Sequence, residues 1–299
     1  MTSFLATWQT ILQTFPSALI GGVVMAAVCA FIGIFVVLKR VVFIGATLSQ
    51  VAACGITAAL LCHIHPLLGA TVFTLAAVTL LAFPVAETRI PGDAMMGLLF
   101  VLASALGILF VSSSGFGLEE VKALLYGNLI LATPRDLDIL LLGLVPIALV
   151  FLLFLRPIVY TLVDREEARV LGLNVLLWEL LFFYVLGIVI AGSSKLGGML
   201  LVFCYLVVPP MTALLITNRL VLAAIVSTAL AVGSTVLGLY VSFAYDLPTN
   251  QVIAVISCAL LVCCLIGRSL MSLRTRRGIP MARDIGAQKP SRRQPAARD

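Results

Sequence analysis

The chain has 299 residues, of which 62% are hydrophobic and only 11% charged, and its mean hydropathy is +1.19. A soluble domain of this length needs far more polar surface, so the composition excludes a soluble globular protein and predicts a membrane protein. The formal net charge of +6 is concentrated at one end, because residues 268–299 hold nine of the 19 basic residues.

Long apolar stretches follow one another along most of the chain. A helix needs about 20 apolar residues to cross the hydrocarbon core of a bilayer. The sequence therefore predicts an all-α polytopic membrane protein with about nine transmembrane helices. The predicted spans, in chain order, are 16–38, 43–61, 66–85, 94–112, 138–155, 176–192, 196–216, 220–243 and 250–267. The first has no basic leader and is too long for a signal-peptide core, so we expect it to be retained.

The second span carries polar groups on one face. Ala46, Gln50 and Cys54 recur at four-residue spacing and so share one stripe of a helix, which Ser49 flanks. This stripe is a candidate translocation path, in which Gln50 is a weak candidate metal ligand through its neutral carbonyl oxygen. The alternative is that Gln50 makes a hydrogen bond between helices within an interface of small residues.

Three polar residues near the outer membrane face are weak candidates for metal contact. His63 and His65 stand just before Pro66, although exposed loop histidines are often incidental. Asp246 lies between the last two spans, where a carboxylate can attract a cation or pair with a partner protein. A helix-ending aspartate without such a role is the alternative.

Residues 118–131 fit no simple helical hairpin. They follow the run Ser112–Gly117 and precede Thr133–Pro134, a pattern that predicts a re-entrant or interfacial helix on the outer side. Non-spanning backbone at membrane depth must be buried in protein or face water, so such an element often lines a cavity. A surface loop with a short helix is the alternative.

A charged segment interrupts the apolar pattern at residues 164–174. The small Ala168 lies among charged residues, namely Asp164, Glu166, Glu167 and Arg169. Gly172 is a typical helix stop. The segment predicts a short amphipathic helix on which a soluble partner docks. An ordinary charged loop is the alternative.

The later spans contain two features of interest. Glu179 is the one carboxylate inside a predicted span, apart from Asp138 at the first residue of its own, and it lies near the cytoplasmic end, where it either takes part in gating or reaches the interface. Pro209 and Pro210 interrupt the helical hydrogen bonds and, with Gly197–Gly198, predict a bend at the translocation path. A kink that serves packing alone is the alternative.

The C-terminal tail sets the expected orientation. We divide the chain into a transmembrane domain, 1–270, and a basic tail, 271–299, predicted to be disordered and cytoplasmic. With nine spans the N-terminus is then outside, and sixteen basic residues fall inside against three outside, in agreement with the positive-inside rule. We assign the tail a role in topology and expect no nucleic-acid partner.

Several segments resemble one family of permeases. The frame Asp164-x-x-x-Ala168-x-x-x-Gly172 is similar to the coupling helix of ATP-binding-cassette (ABC) permeases that import zinc, manganese or iron. Further similar stretches lie in the same order along the chain, at 43–52, 125–128, 198–213 and 245–249. The chain departs from the family where Ala46 replaces an acidic residue and Gln50 replaces a histidine.

The resemblance implies a permease domain that works as a homodimer in the cytoplasmic (inner) membrane of a bacterium. It also implies an ABC ATPase subunit docked on residues 164–172, an extracytoplasmic solute-binding protein, and a path along Ala46, Ser49, Gln50, Cys54, Pro209 and Asp246. The sequence has no Gly-x-x-x-x-Gly-Lys-[Ser/Thr] loop. We therefore expect no cofactor on this chain, which is not an enzyme, and ATP used by the partner subunit.

Three alternatives stay open at the level of sequence. The same machinery with a metal chelate, haem or corrinoid as cargo would suit the loss of both ionisable gate residues. A secondary carrier would need intramembrane carboxylates, and only Glu179 comes near that requirement. An intramembrane protease would need a second buried aspartate or a histidine beside a serine, and the predicted spans contain neither.

Overall fold

The computed structural model describes residues 15–82, 92–113, 127, 129–163 and 165–277. Within these ranges the chain is helical and contains no strand, which confirms the predicted all-α class. The helices are α1 (Pro16–Leu38), α2 (Phe43–Leu61), α3 (Pro66–Ala82), α4 (Gly92–Ser113), α5 (Pro134–Leu153), α6 (Leu155–Val163), α7 (Arg165–Val170), α8 (Val175–Ile216), α9 (Leu220–Tyr245) and α10 (Thr249–Arg277), with a 3-10 turn at Leu129–Leu131.

Seven of the described helices are long and apolar enough to cross a membrane: α1, α2, α4, α5, α8, α9 and α10. α3 is also apolar, over Pro66–Leu81, but is shorter than these seven helices. Their exposed faces carry many large apolar side chains, as a surface in contact with lipid requires. The polytopic membrane class is thus confirmed, whereas helix length alone does not confirm the predicted count of about nine spans.

The helix ends follow local signals in the sequence. Proline is favoured in the first turn, where no backbone donor is lost, and α1 begins at Pro16. α5 begins at Pro134, four residues before the predicted start, because Thr133 and Asp136 form a capping box. The Thr133 hydroxyl accepts a hydrogen bond from the Asp136 amide (3.3 Å), and the Asp136 carboxylate accepts one from the Thr133 amide (3.2 Å).

Three predicted segments differ from the structure or lie outside it. The connection between the predicted spans 138–155 and 176–192 contains a second helix besides the predicted charged one, because the apolar residues of α6 recur at helical spacing and pack against the core. α10 continues through Arg277, so residues 271–277 of the tail predicted to be disordered are helical, and 278–299 lie outside the described residues. The predicted outer element 118–131 is also outside them, apart from residue 127 and the 3-10 turn.

The long helix α8 is broken at one residue. It covers 42 residues, or about 63 Å at the usual helical rise, which is about twice the hydrocarbon thickness. Gly198 has φ 66° and ψ 173°, a backbone conformation that essentially only glycine adopts. The Asn250 side-chain amide donates to the carbonyl of Gly197 at this break (3.0 Å). Gly198 therefore divides α8 into a first half, 175–197, and a second half, 199–216.

The two halves of α8 run in opposite directions along α1. Contacts between α1 and α8, in order along α8, are Lys39–Glu179, Met25–Gly197 and Gly33–Leu206. Up to the break, successive residues of α8 contact α1 closer and closer to its start. After the break, they contact α1 closer to its end. The chain therefore reverses direction at Gly198, and the two halves lie side by side on α1.

Small residues bring the helices into close contact. A Cβ added at Gly33 would overlap the carbonyl oxygen of Leu206, and one added at Gly69 would overlap the carbonyl oxygen of Gly55. Such contacts between backbones are the usual way in which membrane helices gain packing energy, since lipid provides little hydrophobic drive between them. α2 is thereby held between α3, α4 and the second half of α8.

Candidate docking helix and translocation path

The charged segment forms a short helix that ends as the sequence predicts. α7 covers Arg165–Val170, and Gly172 follows with φ 75°. The Leu173 amide donates to the Ala168 carbonyl (3.0 Å) and the Gly172 amide to the Arg169 carbonyl (3.0 Å). These two bonds are those of a Schellman motif, which needs a left-handed residue at the Gly172 position. Asp164 lies outside the described residues.

α7 presents a charged and apolar surface to solvent. Glu166, Glu167 and Arg169 are exposed, with an ion pair of 3.4 Å between Arg169 and Glu166 that contributes little to stability in water. Ala168 is fully buried and fixes the helix against the rest of the protein. The next two residues, Val170 and Leu171, are 88% and 64% exposed.

The apolar surface continues beyond α7 into a region that the sequence did not single out. Leu176 and Leu177, in the first turn of α8, are 54% and 59% exposed. They fall at the edge of the predicted span 176–192. Their position, five to seven residues after Val170 and Leu171, is the signal in the sequence that could have indicated further exposed apolar side chains near α7.

The α2 stripe is partly open and partly packed. Ala46 and Gln50 are half-buried, whereas Ser49 and Cys54 are buried. Cys54 packs against α4, where a Cβ added at Gly107 would lie 3.8 Å from the Cys54 Cβ. The stripe is thus open at Ala46 and Gln50 and closed by α4 at Cys54 in this conformation.

Ser49 is an unusual member of the stripe. Its side chain is fully buried, yet its hydroxyl has no hydrogen-bond partner within the described residues. An unpaired buried hydroxyl costs free energy, roughly 1–3 kcal/mol by comparison with mutational data. The hydroxyl is therefore a polar group retained beside Gln50 without a structural bond to account for it.

The predicted bend in α8 lies at glycine and not at proline. Pro209 and Pro210 are buried inside a stretch of α8 with helical backbone, and Gly198 is the one residue of α8 with a non-helical conformation. Proline fits the helical φ angle, and in a membrane protein neighbouring helices can compensate for the donor that it removes and for the carbonyl that its ring displaces. The reversal of α8 therefore lies at Gly198, and the predicted role of Pro209 in the path stays a prediction.

The outer polar residues are exposed. Asp246 ends α9 in a left-handed conformation (φ 53°), and its amide donates to the Ser242 carbonyl. His63 has φ 56°, and the His65 Nδ1 accepts a hydrogen bond from the Leu67 amide (3.3 Å). In the described part of the chain, no three His, Cys, Asp or Glu residues come together in a way that could hold a metal ion.

Glu179 forms an ion pair with Lys39, at the end of α1. Its carboxylate accepts a hydrogen bond from the Lys39 Nζ at 3.0 Å, and both side chains are largely buried, with exposures of 9% and 16%. The Lys39 Nζ also lies 4.5 Å from the centre of the Phe183 ring. The sequence could not identify this partner, because the two residues are 140 positions apart.

The sequence is similar to those of known membrane transport proteins. The model of a family described as "ABC 3 transport family" matches residues 12–268. The chain is 26% identical over 244 residues to the manganese transport system membrane protein MntC of Halalkalibacterium halodurans, which covers 81% of this chain and 83% of that protein. It is 25% identical over 199 residues to the high-affinity zinc uptake system membrane protein ZnuB of Haemophilus influenzae, covering 67% and 76%.

The fold also matches a solved structure. PsaBC from Streptococcus pneumoniae in complex with Fab superposes with a TM-score of 0.78 and 22% sequence identity, over 87% of this chain and 95% of that chain. At this identity the likeness concerns the fold alone.

Proposed function

Because the chain belongs to the ABC 3 transport family, we propose that it is the permease subunit of an ABC importer that moves divalent metal ions across a bacterial cytoplasmic membrane. The family match over residues 12–268 is the observation that carries the proposal. Relatives named for manganese and zinc transport, each aligned over two thirds of this chain or more, support metal ions as the cargo.

The energy for import must come from another subunit. The sequence lacks the glycine-rich Lys-Ser/Thr loop that cradles nucleotide phosphates. α7 supports docking of an ATPase, since it combines exposed charges at Glu166, Glu167 and Arg169 with an apolar patch at Val170 and Leu171. Ala168 and Gly172 set the position and end of this coupling helix, and Asp164 would precede its first turn.

The topology proposed from the sequence has support in the reversal at Gly198. Seven long helices, the shorter apolar α3, and the division of α8 into two antiparallel halves together give nine membrane passes. An odd number of passes places the two termini on opposite sides of the membrane, and the nine basic residues of 268–299 favour the cytoplasm for the C-terminus, which leaves the N-terminus outside. α7 then lies on the cytoplasmic side, where an ATPase can reach it.

Two copies of the chain would enclose the path. Ala46 and Gln50 are half-buried in one chain, as expected of groups that face a partner copy or a water-filled route. The Ser49 hydroxyl lies in the same turn of α2. On the outer side, the exposed Asp246, His63 and His65 provide polar groups for contact with a solute-binding protein.

This path is suited to weak contact with ions. Gln50 offers a neutral carbonyl oxygen, whereas zinc prefers nitrogen and sulfur donors, and manganese prefers oxygen donors, carboxylates above all. Conduction requires binding that is weak enough for release. A separate binding protein would then provide selectivity, and the permease would let the ion pass.

The Gln50→His variant tests the path directly. An imidazole adds a nitrogen donor, so we expect release of zinc to slow by about tenfold, an effect of roughly 1.4 kcal/mol, while manganese uptake changes much less. Initial rates of ATP-driven uptake of both ions into proteoliposomes give the comparison. Gln50→Asn, which keeps the amide, is the matched control. Equal effects on the two ions would show that Gln50 faces other helices, and ATP-independent uptake by the wild type would contradict the proposed function.

A further inference from the structure

The Lys39–Glu179 ion pair stands between the docking helix and the candidate path. Glu179 is the fifth residue of α8, and only four residues, 171–174, separate α8 from α7. The Asn174 side chain accepts a hydrogen bond from the Leu177 amide (3.4 Å), which caps the first turn of α8. A displacement of α7 is therefore transmitted to the turn that carries Glu179, because only four residues join the two helices and Asn174 caps the start of α8.

On the other side of the pair, Lys39 ends α1 in a rigid turn. The Arg40 amide donates to the Val37 carbonyl (3.0 Å) and the Val41 amide to the Val36 carbonyl (3.2 Å), with Arg40 in a left-handed conformation (φ 62°). This is the bonding of a Schellman motif. α2 begins two residues after Val41, and it carries Ala46, Ser49 and Gln50.

Lys39 is held by two residues on one face of α8. The Glu179 carboxylate accepts a hydrogen bond from the Lys39 Nζ at 3.0 Å, and the Phe183 ring, one turn later, lies 4.5 Å from the same nitrogen. Because both charged side chains are largely buried, loss of either charge removes a favourable contact from a poorly hydrated place. The contact is therefore specific in position and costly to break from one side.

Resting on the proposed function, we propose that the Lys39–Glu179 pair positions the start of α2 relative to the docking helix, and so couples ATP hydrolysis to opening of the cytoplasmic end of the path. Neither residue touches the ion. The pair acts as a mechanical link from α7, through the first turns of α8, to the turn 39–42 and α2.

A second ion pair provides the control. Lys195 donates to Asp136 at 2.6 Å, and the side chains are 29% and 19% exposed. This pair joins the start of α5 to the end of the first half of α8, away from the route between α7 and α2. If only the general stability of the helix bundle matters, Asp136→Asn will reproduce the effects of Glu179→Gln.

The test uses the complete complex with its ATPase and binding protein in proteoliposomes. For Glu179→Gln and Lys39→Gln we expect the number of manganese or zinc ions imported per ATP hydrolysed to fall by about tenfold, with hydrolysis continuing near its wild-type rate. The charge-retaining Lys39→Arg and the exchanged pair Lys39→Glu with Glu179→Lys should recover most of the wild-type ratio. Asp136→Asn should leave the ratio unchanged.

The outcomes separate this link from the proposed function. A wild-type complex that couples transport to hydrolysis, with variants of unchanged ratio, overturns the link and leaves the proposed function standing. Equal losses in Asp136→Asn and Glu179→Gln also overturn it, as does failure of the exchanged pair to recover the ratio. Absence of ATP-driven uptake by the wild type contradicts the proposed function and removes the basis of the link with it.

Discussion

Reversal of the two exposed charges of α7, by Glu166→Arg with Glu167→Arg, is expected to abolish ATP-driven metal uptake without loss of the protein from the membrane. Both carboxylates are exposed on α7, and the ion pair that Glu166 forms with Arg169 is itself exposed, so it contributes little to stability. Like charges placed opposite each other at an interface cost several kcal/mol, and a loss of about 3 kcal/mol weakens docking by more than a hundredfold.

Copurification of the ATPase subunit and metal-stimulated ATP hydrolysis provide the measurement. Asp93→Arg is the matched control, because Asp93 is an exposed carboxylate in the first turn of another helix, α4, at the same end of the bundle as the start of α2. We expect the control to retain the ATPase. Normal stimulated hydrolysis in the double α7 variant would show that α7 does not dock the ATPase.

Replacement of Gly198 by alanine is expected to destabilise the whole bundle. The backbone of Gly198 (φ 66°, ψ 173°) is in a region that other residues reach only with strain, of about 1–3 kcal/mol. In a chain of this size such a loss corresponds to a decrease of roughly 5 °C in the unfolding temperature. The strain acts where the chain reverses direction, so the contacts of both halves of α8 depend on it.

Thermal unfolding of the purified protein in detergent measures this effect, with Gly192→Ala as the control in the same helix. A Cβ at Gly192 meets only the tip of the Leu144 side chain, which can move. We expect little change for Gly192→Ala, since alanine favours a helical backbone. An unfolding temperature for Gly198→Ala equal to that of the control would contradict the account of the break.

The sequence predicted most of the membrane architecture because apolar length and helix-end signals are local. α1 and α2 have the predicted bounds, which are marked by Pro16, Lys39–Arg40 and the polar residues after Leu61. The start of α5 was placed too late, because the prediction weighed apolar length and not the capping box of Thr133 and Asp136.

The break in α8 shows where local signals compete. Pro209–Pro210 and Gly197–Gly198 were both indicated, but the reversal combines a φ of 66° with a ψ of 173°, which essentially only glycine adopts. The prolines continue the helix, because their fixed φ fits it and the missing donors are tolerated among buried neighbours.

The Lys39–Glu179 ion pair and the burial of Cys54 could not be predicted from the sequence, because both depend on how distant helices pack together. Lys39 and Glu179 come together only because the first half of α8 runs antiparallel to α1, and no periodic pattern indicates contacts over such a separation. Likewise, the position of Cys54 on its helical stripe predicted an open face, whereas packing of α4 determined that the thiol is buried.

The central claim is that this chain passes a free divalent metal ion when a separate ATPase drives it. The most direct measurement is uptake of zinc, manganese and iron, each free and chelated, by proteoliposomes that contain the chain with its ATPase and binding protein. We predict accumulation of at least one free ion that requires ATP and disappears when the ATPase is omitted. Accumulation of a chelate alone, or uptake of a free ion without ATP, would contradict the claim.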